Sequence, residues 1–214
     1  MKPTIYNDWV EDIPSIWKDH RLFVNWLVNY LQPMEIIDFG VDYGYTTFVW
    51  QDAIQFKIDC LVTGVDLFQP DPKTNIRNTF NFINEKILNY GLTSIDIIVG
   101  DFKELSEKWP KTRLLDIIHF KDCHPDFTCW LPFLKNDGVI LFHDINFSKE
   151  KSGFDDSTGL KTNIQESIFF NQLSVPGYIK FKFLPCRGLG ILTKNTKLYD
   201  CIVKDFGSTD VEVI

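Results

Sequence analysis

The stretch Asp38-Phe39-Gly40-Val41-Asp42-Tyr43-Gly44-Tyr45-Thr46 sets an acidic residue ahead of two glycines that are three residues apart. Glycine at these positions answers a backbone requirement. Gly40 permits a tight turn out of a strand and close approach of a ligand, and Gly44 lets a helix begin without a β-carbon in the way. The spacing departs from G-x-G-x-x-G, in which a pyrophosphate rests on the helix N-terminus, so a bulky phosphate is not the implied ligand. Two later carboxylates lie where a nucleoside needs them. Asp66 ends an apolar run and is placed to accept hydrogen bonds from both hydroxyls of a ribose; Asp101 can accept from an adenine amino group while Phe102 packs on the ring. Asp38 and the loop that carries Asp42 and Tyr43 would then lie near a zwitterionic amino-acid tail. Each residue alone reads equally well as a turn glycine or a loop carboxylate. Their order on successive strand ends is what points to a joint role.

Such residues need a sheet to position them. Helical and strand patterns alternate along most of the chain, which predicts an α/β fold with a mostly parallel sheet covered by helices on both faces. Short apolar runs at 35–40, 61–66, 95–99, 114–119 and 138–143 read as buried strands. Apolar residues at steps of three and four predict helices over 15–31 and 76–90, the first closed by Pro33 and the second by Gly91, and a further helix is expected over 46–56. Residues 178–184 alternate apolar and basic side chains and can pair with 190–193 across a turn at 185–188. The polar segment 146–162 reads as a loop that could act as a lid. One domain over 1–214 is expected, with 1–33 as a helical cap.

Composition narrows the classes of function. The 214 residues are 44% hydrophobic and 15% aromatic, enough for a sizeable core. With 22 basic and 29 acidic residues the net charge is −7, which disfavours general nucleic-acid binding. Five scattered cysteines signal neither a disulfide framework nor a zinc cluster, and reduced thiols are expected. No apolar run reaches the length of a membrane span, and the first residues lack a signal-peptide pattern, so a cytoplasmic location is expected.

The chain resembles class I S-adenosylmethionine-dependent methyltransferases, and within them methyltransferase family 24, small O-methyltransferases many of which are encoded beside or fused to glycosyltransferases. The resemblance is carried by Ile16-Trp17-Lys18-Asp19-His20-Arg21, by 37–47, by Gly64-Val65-Asp66 and by Asp137-Gly138-Val139-Ile140-Leu141-Phe142-His143-Asp144. It implies a Rossmann-like seven-stranded sheet in the order 3-2-1-4-5-7-6 with strand seven antiparallel. It also implies S-adenosyl-L-methionine as cofactor, leaving as S-adenosyl-L-homocysteine, a sugar or glycan acceptor and a glycosyltransferase partner.

A sugar hydroxyl is a poor nucleophile, so the site must align it and either remove its proton or lower its pKa with a metal. His124 is the leading general base, with Asp122 orienting it or acting in its place; Lys121 and His143 complete the expected catalytic set. Trp17 and Tyr43 offer flat faces to a sugar ring, while His20 or Arg21, and Asp144, are expected on the acceptor side. Relatives usually read His-Ile-Asp-Gly-x-His-x-Tyr-Glu after strand four, and Lys121 stands where that Asp would be. Metal-using relatives draw ligands from it and from the Asp after strand five. An ammonium there argues against a divalent metal, which Asp122 and Asp144 would otherwise hold. Lys121 can instead stabilise a developing alkoxide. The competing reading is a module that binds the cofactor beside a glycosyltransferase and transfers little. A nucleotide-dependent oxidoreductase lacks its glycine fingerprint.

Overall fold

The computed structural model describes residues 10, 13, 15, 20–55, 59–69, 79–121, 125–145, 159–185 and 187–214, with backbone alone at 125 and 159–165. Among the described residues eight strands form one sheet: β1 (Glu35–Phe39), β2 (Leu61–Asp66), β3 (Ile95–Val99), β4 (Leu115–Phe120), β5 (Leu134–His143), β6 (Ile179–Phe183), β7 (Leu189–Thr193) and β8 (Val211–Val213). Their order is β3-β2-β1-β4-β5-β7-β6-β8. The first seven follow the expected order, with β7 antiparallel to β5 and β6. The eighth strand corrects the expectation of seven. It pairs antiparallel with β6, and its three residues are too few to show an alternation in sequence.

The helices are α1 (Arg21–Leu31), α2 (Tyr45–Ile54), α3 (Thr79–Asn89), α4 (Phe102–Lys108), α5 (Gly159–Gln172) and α6 (Thr196–Phe206), with a 3-10 segment at Pro125–Phe133. Residues 159–162, expected to end a loop, are therefore helical, and the remainder of that loop from 146 lies outside the described residues. The chain comprises two compact units, Met1–Leu105 and Ser106–Ile214.

In the first unit, β1, β2 and β3 pair in parallel, and Ile36, Ile37, Val62 and Val65 are buried between covering elements. Helix α1 turns Phe23, Val24, Leu27 and Val28 inward and ends where Gln32 takes a left-handed conformation (φ 49°) ahead of Pro33. Helix α2 is buried along almost its whole length, so its amphipathic signal is weak. Between these helices Arg21 Nη2 donates to Asp52 Oδ2 at 3.1 Å, with side-chain exposures of 5% and 2%. Removing one partner of a buried pair strands the other charge. Asp52→Ala is expected to destabilise the chain by about 3–5 kcal/mol, and Arg21→Met combined with it by less than the single change, as read from denaturant midpoints.

In the second unit, β4 and β5 are parallel and β5, β7, β6 and β8 are antiparallel. Its core is aromatic: Phe120 stacks on Phe142 at 5.6 Å, and Phe127 meets Phe142 edge-on at 5.2 Å. The expected hairpin is present, with the Gly188 N–H donating to the Pro185 carbonyl at 3.0 Å across its turn. In β6 Phe181 and Phe183 are buried, and so is Lys182, while Lys180 is half-buried; the two lysines have separate uses. Lys182 Nζ reaches Glu212 of β8 at 3.3 Å. Lys180 Nζ donates to the carbonyls of Phe170, Asn171 and Leu173 at 2.8–3.0 Å, capping the end of α5. Burial, and then the Lys182 ammonium, draw the Lys180 amine below the usual lysine range. Lys180→Met is expected to lower unfolding stability by about 1 kcal/mol, measured by urea titration.

Candidate functional site

Parallel pairing brings the carboxyl ends of β1, β2 and β3 side by side, with Phe39 opposite Val65 and Asp66 opposite Val99. Ligands of open α/β sheets bind at such ends. Asp38 is fully buried there, and its Oδ2 accepts from Thr46 Oγ1 at 2.7 Å and from Thr47 Oγ1. That carboxylate clamps the first turn of α2 to the end of β1 and fixes the loop between them. Gly40 (φ 86°), Asp42 (φ 52°) and Gly44 (φ 86°) all take left-handed conformations in this loop. A β-carbon on Gly44 would also lie 2.7 Å from the Phe48 ring, so both the backbone and the space require glycine.

Asp66 joins two loops. Its Oδ2 accepts the Asp42 N–H at 2.9 Å, and its Oδ1 accepts the Phe68 N–H at 2.8 Å. An ionised carboxylate has about four acceptor positions, so these two bonds leave capacity for two hydroxyl donors. Asp101 is the N-cap of α4: its Oδ1 accepts from the N–H groups of Lys103 at 2.8 Å and Glu104 at 3.0 Å. Oδ2 carries neither bond and is the atom suited to an amino group. Phe102 meets Phe39 edge-on at 6.0 Å. The sequence reading missed Phe68, which has φ 48° and meets Phe80 edge-on at 5.3 Å, giving the end of β2 a second aromatic group. An aromatic residue two positions past the strand-ending Asp66 was the available signal. Asp42 is exposed and Tyr43 half-buried on the same loop. These carboxylates, aromatic rings and left-handed loop suit the hydroxyls, amino group and ring of a nucleoside. His20 is fully buried at the start of α1, and the neighbouring Arg21 is engaged with Asp52.

A second group of polar residues belongs to the other unit. His119 is fully buried on β4, Lys121 is half-buried just past its end, and the His119 and His143 rings lie 6.2 Å apart. At the end of β5, Asp144 takes φ 56°, a conformation uncommon outside glycine and concentrated at functional turns. Its Oδ1 is 3.3 Å from His143 Nε2, and its Oδ2 is 3.7 Å from Nη1 of Arg187, a residue that the sequence reading did not single out. Trp17, Asp122 and His124 lie outside the described residues. Among the described residues, no three His, Cys, Asp or Glu groups cluster to hold a metal ion, and no helix is long and apolar enough to cross a membrane. Cys129 and Cys201 are free thiols.

The family model of a methyltransferase domain, methyltransferase family 24, matches residues 37–145. That span includes the glycine loop, both strand-end carboxylates and the His143-Asp144 pair. A Sinorhizobium fredii protein, uncharacterized protein y4gI, is 28% identical over 149 residues, 62% of this chain and 15% of its own length. The match thus spans about a seventh of that relative. Among solved structures, the S-adenosylhomocysteine-bound methyltransferase PaMTH1 of Podospora anserina superposes with a TM-score of 0.63 at 13% identity, covering 87% of this chain and 84% of its own. The O-methyltransferase TomG of Streptomyces achromogenes, involved in tomaymycin synthesis and solved with S-adenosylmethionine, gives 0.63 at 12% identity, covering 90% and 92%. At these identities the likeness is one of fold.

Proposed function

Because this chain belongs to methyltransferase family 24, we propose that it transfers a methyl group from S-adenosyl-L-methionine to a hydroxyl oxygen of a sugar, a glycan or a glycosylated small molecule. The observation that carries this reading is the Asp66 carboxylate, which ties the glycine loop to the end of β2 and retains acceptor capacity. When bound, the cofactor supplies a methyl group on a positively charged sulfur with a good leaving group. Asp66 then accepts from the ribose hydroxyls and Asp101 Oδ2 from the adenine amino group, while Phe102 and Phe68 provide apolar faces. Gly40, Asp42 and Tyr43 present the loop to the amino-acid tail.

On the acceptor side, His124 takes the hydroxyl proton and Asp122 orients its imidazole, while the Lys121 ammonium steadies the developing negative charge on oxygen. Trp17 and Tyr43 serve the sugar, while His20, expected on the acceptor side, is fully buried and has no surface to offer it. A glycosyltransferase is the partner class, since it supplies or carries the glycosylated acceptor. The test is transfer of a labelled methyl group from S-adenosylmethionine across a panel of free sugars, nucleotide sugars and oligosaccharides. Label in an alkali-stable ether on a sugar is expected. A chain that binds the cofactor and labels no member of the panel contradicts the transfer reading and favours a binding module. Activity is further expected to survive EDTA, and strict dependence on added magnesium or manganese would contradict the role given to Lys121.

A further inference from the structure

Asp144 is a buried carboxylate whose side chain is 10% exposed, held in a left-handed turn with an imidazole nitrogen 3.3 Å from its Oδ1. Oxygen and nitrogen donors in that arrangement are those a divalent transition-metal ion takes. Here the other carboxylate oxygen faces a guanidinium: Arg187 Nη1 lies 3.7 Å from Oδ2.

Strand register makes this pairing a consequence of the fold. The antiparallel ladder sets His143 opposite Leu189, so the residue that follows β5 meets the residues that precede β7. Gly188 (φ 79°) closes the hairpin turn through its N–H to Pro185, and Arg187 is carried to the end of β5 by that turn. Lys121 follows β4, whose Phe120 pairs with Phe142 one residue before His143, which places a second cation at the same end of the neighbouring strand. A metal ion approaching Asp144 would have to displace the guanidinium and enter the field of the ammonium.

We propose that Arg187 takes the place of a divalent cation beside Asp144, neutralising the buried carboxylate and positioning it next to His143. Arg187 is thus a positioning residue, and the end of β5 is a centre built on organic cations. The inference concerns this charge arrangement alone and holds whatever the acceptor is.

The test is Mn2+ binding to the full chain, followed by electron paramagnetic resonance of the free ion. The parent chain is expected to take up no stoichiometric Mn2+ at about millimolar concentration. Arg187→Asp exchanges the guanidinium for a second carboxylate, and is expected to bind one Mn2+ at least about tenfold more tightly than the parent, an increment that Asp144→Asn removes. Should Arg187→Asp fail to fold, Arg187→Gln serves in its place, with a Mn2+-dependent rise in Tm that the parent lacks. Stoichiometric uptake by the parent that Asp144→Asn abolishes would overturn the proposal. So would folded Arg187 variants that bind Mn2+ no better than the parent.

Discussion

Asp66→Ala is expected to bind S-adenosylmethionine about a hundredfold more weakly than the parent chain, because two kinds of interaction end together. Hydrogen bonds to a charged acceptor contribute about 1.5–3 kcal/mol each, and the ribose would lose such bonds. The Asp42 and Phe68 N–H groups, held at 2.9 and 2.8 Å, would also lose the acceptor that joins the glycine loop to the end of β2. A smaller loss, about tenfold, is expected for Asp101→Ala, with a stability cost of about 1 kcal/mol from the missing cap on α4. Isothermal calorimetry of the two variants gives the ratio. Affinity unchanged in Asp66→Ala would remove that residue from the cofactor site.

His124→Ala is expected to lower methyl transfer by about 10²–10⁴-fold while cofactor affinity stays close to that of the parent. An imidazole titrates near neutral pH, so it can accept a hydroxyl proton without help from burial or neighbouring charge. The loss should fall on kcat rather than on KM for either substrate, since a base contributes as the proton moves. Single-turnover assays with labelled cofactor separate this from slow product release. Undiminished turnover assigns the proton to Asp122 or His143 instead.

How much of this was legible in sequence depends on whether a feature is local. Strands β2 and β3 match the expected limits residue for residue, because each is a short apolar run between polar ends. The hairpin of β6 and β7 was legible from alternation and its turn, whereas the motif that Asp38 opens suggested a place near the cofactor tail and not the fully buried clamp on Thr46 and Thr47. Helix α4 was missed, although Asp101-Phe102-Lys103-Glu104 has the spacing of a capping box. Reading Asp101 only as a ligand group concealed its second use as a helix cap. Strand β8 and its Glu212 pairing with Lys182 are too short to announce themselves. The Arg187–Asp144 pair lies beyond sequence reading of any local kind, since it depends on the register of segments that are distant along the chain.

Calorimetric titration of the full chain with S-adenosyl-L-homocysteine probes the nucleoside cradle itself, without need of an acceptor. One molecule bound per chain, displaced by S-adenosylmethionine, is the predicted result. A folded chain that takes up neither compound at about millimolar concentration, far above the Kd that such a set of charged hydrogen bonds supports, would contradict the account.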